Sequence, residues 1–140
     1  MSRFGVLRAI AFSALLGASV TAQANAPGAT LPGLGGELIS WAVSDFSTTD
    51  SIPDKVRDVH IRYATTGSGE RSYMLCGYFL RNSGDPDATW VAFATIKTDP
   101  YEQWIGGQAE ALCERAKVLA EPTDDLTDEL QARLNAAAPK

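Results

Sequence analysis

With 140 residues, the chain has room for one domain. Its 17 acidic and 12 basic residues leave a net charge of −5, and no lysines or arginines form a block. That argues against nucleic acid or an anionic membrane surface as a partner, since both need clustered cations. A single histidine and two cysteines are too few for a zinc site, so no metal and no cofactor are expected.

The first element is an export signal. "MSRFGVLR" carries Arg3 and Arg8 and no acid, and "AIAFSALLGASV" follows, apolar or small from Ala9 to Val20. That run is short of the ~20 residues a bilayer span needs. Ala22-Gln23-Ala24 and Ala24-Asn25-Ala26 both fit the small-x-small cleavage rule. Residues 1–26 are therefore read as a signal peptide cut after Ala24 or Ala26, giving a periplasmic or secreted chain. Without Arg3 and Arg8 the mature chain holds 10 basic and 17 acidic residues, a net charge of −7. No later run is apolar enough to span a membrane, so no membrane span is expected in the mature chain.

Residues 27–36 form a Gly/Pro-rich lead with little to bury. In "ELISWAVSDF", Leu38, Ile39, Ala42, Val43 and Phe46 recur at helical spacing, which predicts a helix over Glu37–Phe46. "DVHIRY" alternates Val59, Ile61 and Tyr63 with His60 and Arg62, the period of a half-buried strand. After the turn at Gly67-Ser68-Gly69, "SYMLCGYFLRN" is apolar on both faces. A strand of that kind is covered on both sides and belongs in the middle of a sheet. "NSGDPDA" is turn chemistry, and "TWVAFATI", Thr89 to Ile96, is a third strand.

Asp99-Pro100-Tyr101-Glu102 then has the form of a helix start, with an aspartate cap and proline at the first helical position. From Gln108 to Val118, Ala109, Leu112, Cys113 and Ala116 share one helical face. In the tail, residues 120–140, Thr123 or Asp124 can cap a short amphipathic helix with Leu126, Leu130 and Leu134 on one stripe. The resulting fold class is α+β: a small three-stranded antiparallel meander, an N-terminal helix and a C-terminal helix, in a domain spanning residues 37–119.

Export gives the two cysteines a role. An oxidising compartment pairs them, and Cys76–Cys113 is the one intramolecular connectivity. The bridge would tie the late helix to the central strand. Free buried thiols and redox chemistry are the rival readings, the latter calling for an electropositive, exposed setting. Gly77 faces the other way and invites a close approach, with Trp41 as the candidate neighbour.

No catalytic constellation stands out. His60 alternates with core residues and reads as a surface histidine, while a small envelope hydrolase using it as base is the alternative. Asn82, Asp85 and Asp87 crowd one turn but lack the glycine and distal glutamate of a calcium loop. Trp90, Tyr101 and Trp104 are candidate binding anchors if they are exposed. The leucine stripe of the last helix could dock on a partner or on its own domain. A carrier of a small apolar ligand would need an enclosed pocket lined by Tyr78, Trp90 or Trp104.

Arg57-Asp58-Val59, Cys76-Gly77, Asn82, Gly84, Phe93 and Cys113, spread over residues 40–117, resemble a group of small exported proteobacterial proteins of unknown function. These carry a strand motif like VCGxVNxKN and a second cysteine in the C-terminal helix. The resemblance implies the same fold and disulfide and carries no activity. These readings together point to a non-enzymatic binding or envelope-accessory module whose partner is another envelope protein or component.

Overall fold

The structure is a computed structural model that describes residues 31–48, 52–119 and 125–139. The expected signal peptide, the first residues of the lead and the caps Thr123 and Asp124 lie outside the described residues. Helix α1 spans Leu31–Thr48. Strands β1 (Lys55–Thr65), β2 (Arg71–Leu80), β3 (Val91–Ile96) and β4 (Glu102–Ile105) follow. Helix α2 (Gly107–Arg115), strand β5 (Lys117–Val118) and helix α3 (Thr127–Ala137) complete the order.

The three-stranded meander is corrected to a five-stranded antiparallel sheet in the order β4-β3-β2-β1-β5. Two strands were missed for different reasons. After β3 the chain turns back, and Glu102–Ile105 pairs antiparallel with β3 and opens no helix. At the other end of α2, Ala116 is extended, and Lys117–Val118 pairs with β1 at Arg62 and Tyr63. A two-residue strand leaves no periodicity to read. Between β4 and β5 the chain crosses the sheet from one edge to the other, with α2 as the crossover.

Helix α1 begins inside the Gly/Pro-rich stretch. Pro32 is tolerated in a first turn. Leu34, Leu38, Ala42 and Phe46 then fall one above another, all buried. Each glycine in a helix costs ~1 kcal/mol relative to alanine. Tertiary packing offsets that cost: a Cβ on Gly35 would already lie 3.6 Å from Leu126 and 3.7 Å from Ile61.

The sheet separates two layers. On one face α1 and α3 pack against Val56, Val59, Ile61, Leu75, Phe79 and Phe93. Phe46 meets Phe79 and Phe93 edge to face, at 5.1 and 5.3 Å between centroids. The leucine stripe of α3 belongs to this core, with Leu130 and Leu134 fully buried and Leu126 packed beside them. On the other face α2 packs Ala109 and Ala116 against Met74, Cys76, Ala92, Ala94 and Ile96.

A bulge in β1 sets the register. Arg57 pairs with Tyr78 and His60 with Cys76, so Asp58 and Val59 together stand opposite Gly77. Asp58 takes a left-handed conformation, φ 54°. The extra residue keeps both Val56 and Val59 on the α1 face, where strict alternation would separate them. Gly77 is needed here, because its Cβ would lie 2.9 Å from both Val59 and Phe93. These two residues make the close approach expected of Trp41, which stacks elsewhere.

Candidate functional site

The disulfide is formed. Cys76 on β2 is bonded to Cys113 on α2, with Cα atoms 6.1 Å apart and a sequence separation of 37. The alternation of β2 sends Cys76 to the α2 face, and the helical stripe of α2 turns Cys113 to meet it. Beside the bond lies a hollow of about 70 Å³ walled by charged groups, Asp58, Arg62, Glu110 and Glu114 among them. Tyr78 closes one side, its hydroxyl 3.4 Å from Glu110. Burial raises the Tyr78 phenol above its ordinary pKa, and the charges of Glu110 and Glu114 add to the shift against an opposing pull from Arg57. This hollow is small and has charged groups in its wall, unlike the enclosed apolar pocket a carrier needs.

The three aromatic candidates do not converge. Trp90 lies beside Arg57, whose guanidinium sits 4.7 Å from the Trp90 ring and 5.1 Å from Tyr78. Tyr101 stacks on Trp41 of α1 at 5.4 Å with the rings 11° from parallel. Trp104 sits on β4 opposite Ala94, which places it on the α2 side of the sheet. Trp90 is 36% and Trp104 37% exposed, and Ile105 next to it is 43% exposed.

Trp104 and Ile105 acquire meaning from the strand that carries them. Strand β4 is the last in the sheet order. Lys97 N–H donates to Tyr73 across β2–β3, and Gly106 N–H donates to Ala92 across β3–β4. In an antiparallel ladder such bonds alternate along each strand. Residues 102 and 104 therefore bond inward to β3, and Gln103 and Ile105 turn their N–H and C=O groups to the open edge. The sequence motif that suggested a helix concealed this edge.

A second depression lies on the opposite side of the sheet. Glu37 and Trp41 of α1 and Lys97, Thr98 and Asp99 of the β3–β4 loop enclose about 370 Å³. Lys97 Nζ is ion-paired with Glu37 Oε2 at 2.5 Å and lies 5.0 Å from the Trp41 ring centroid. Sequence reading passed over this group, although Glu37 and Trp41 stand one helical turn apart.

His60 is poorly placed for catalysis. Its Nε2 is 3.9 Å from Asp125 Oδ2. The Thr127 hydroxyl bonds to Asp125 rather than to the imidazole, and Thr127 Oγ1 accepts from Val59 N–H at 3.0 Å. A nucleophile–base pair needs the hydroxyl on the histidine. Here the carboxylate lies between them and serves the start of α3, where Thr127 N–H donates to Asp125 at 2.8 Å. Among the described residues, no group of three or more His, Cys, Asp or Glu side chains could hold a metal. No described helix is long and apolar enough to cross a membrane. No protein-family model, curated protein or solved structure matches the chain.

Proposed function

We propose that this is an exported, periplasmic binding module without enzymatic activity, and that it captures an extended segment of another envelope protein as a sixth strand on β4. The observation that supports this reading is the open edge itself. Among the described residues, the outward backbone groups of Gln103 and Ile105 meet no further strand, and the Trp104 and Ile105 side chains are half-exposed apolar anchors on the two sides of the same strand. Edges are ordinarily covered, charged or shortened against pairing, and β4 is four residues long with Glu102 at its start, which limits a partner to a short segment. Strand addition draws affinity from main-chain bonds and specificity from alternate side chains. Glu102 and the net negative charge favour a partner strand with basic residues at its margins.

Selection of displayed peptides against the oxidised domain tests the reading. The expected winners alternate apolar residues, carry lysine or arginine, and shift the backbone amides of Gln103 and Ile105 in NMR spectra. Ile105→Pro deletes one outward donor without touching an inward one, and it should abolish binding while Tm stays close to the parent. Peptides that bind elsewhere, or that tolerate both Ile105→Pro and Trp104→Ala, would overturn it. Export is tested by intact mass of periplasmic material, which should begin at Asn25 or Pro27 and contain no free thiol.

A further inference from the structure

The Lys97 cleft is separate from the β4 edge and calls for a different ligand. Its walls carry one ammonium and two carboxylates. The Lys97 side chain is only 17% exposed, whereas its partner Glu37 is 39% exposed. An ammonium has three donors, and one is committed to Glu37. Asp99, across the cleft, has no ion pair or hydrogen-bond partner among the described residues and is exposed.

We propose that this cleft binds a small zwitterion of the α-amino-acid class, with its carboxylate on Lys97 and its ammonium on Asp99 and Glu37. A simple anion would gain Lys97 and face two carboxylates. A simple cation would gain the carboxylates and face the half-buried Lys97 ammonium in the wall. A neutral sugar would seek an open aromatic face, and the Trp41 ring is already contacted by Tyr101 and by Lys97. A zwitterion satisfies all three charged groups, and the cleft volume is ample for one amino acid. Lys97 keeps its place over Trp41 while a ligand carboxylate takes its spare donors, so the indole reports occupancy.

The test uses the full chain with Trp90→Phe and Trp104→Phe, which leaves Trp41 as the sole tryptophan. Each standard amino acid is titrated against Trp41 emission at neutral pH. The tightest is then compared with its N-acetyl and its amide forms, each lacking one charge. Saturation by the free amino acid, with both single-charge forms and Asp99→Asn at least tenfold weaker, is the expected result. Lys97→Met should remove binding altogether, and Asp99→Asn keeps the test decisive if Lys97→Met does not fold. No saturation up to ~10 mM, tenfold above a ~1 mM dissociation constant, would overturn the proposal. Equal response to the N-acetyl and amide forms would also overturn it. Because Trp104 is absent from this background, the result stands apart from peptide capture on β4.

Discussion

The two faces of the sheet are held by different means. Under α1 and α3 lie Phe46, Phe79, Phe93, Leu38, Leu130 and Leu134, all essentially without solvent contact. Burying each such side chain is worth ~1.5–3 kcal/mol. Under α2 the contacts come largely from alanines, with Ala109 the one fully buried residue of the helix. An alanine methyl offers little area. A nine-residue helix is also too short to stand alone, since isolated helices below about 12 residues are marginal in water. The covalent bond to Cys76 supplies what the alanine packing lacks. A small domain can thus cover the second face of its sheet with few large apolar residues, provided its disulfide stays oxidised.

The largest expected effect breaks this contrast within one strand. Phe93→Ala, on the α1 face, should cost ~3–5 kcal/mol. Ala94→Gly, its neighbour on the α2 face, should cost ~1–2 kcal/mol, from one lost methyl and the added backbone freedom. Urea unfolding of both variants measures the difference. Equal losses would mean that the two layers share one packing regime.

Next in size is the bridge. Cys76→Ala together with Cys113→Ala should cost ~2–4 kcal/mol in the same assay. Gly77→Ala should then cost ~1–3 kcal/mol, because its Cβ would press on Phe93 and Val59 across the bulge. A neutral outcome there would mean the bulge relaxes freely and does not fix the register of β1.

The smallest effect concerns the entry to α3. Hydrogen bonds from the Thr127 hydroxyl and backbone hold the Asp125 carboxyl below its ordinary 3.8, burial opposes them, and His60 adds a minor pull in the same direction. The depressed folded value means that this contribution is present above the ordinary pKa. It is lost as pH falls through the folded one, so the window lies below about pH 4. Asp125→Asn should leave Tm at pH 7 nearly unchanged and flatten its decline in that acid range. A thermal melt series that falls as steeply in the variant would assign the acid sensitivity elsewhere.

What the sequence made legible follows the strength of local pattern. The apolar run of β2 pointed to a central strand, and its alternation placed Cys76 toward the late helix, because both signals are carried by consecutive residues. The start of α1 was hidden because Gly33, Gly35 and Gly36 read as a loop, while the packing of Gly35 against Leu126 and Ile61 comes from residues distant in sequence. Strand β4 was hidden because Asp99-Pro100 is also a helix-start signal, and four residues cannot outvote it. Trp90, Tyr101 and Trp104 stand out in the sequence as aromatics, but their separation onto different sides of the sheet is set by how the strands and the loop before β4 are placed. Lys97 drew no notice, since a lysine after a strand gains its neighbours only when α1 lies across the sheet.

The central claim is that α2 is held by its sulfur bond and α1 by its buried side chains. Amide hydrogen exchange on the oxidised and reduced protein, residue by residue, tests it most directly. On reduction the amides of residues 109–115 should lose protection by at least tenfold while those of residues 38–46 and 73–79 keep theirs. Unchanged protection in α2, or loss of protection in both layers together, would contradict the account.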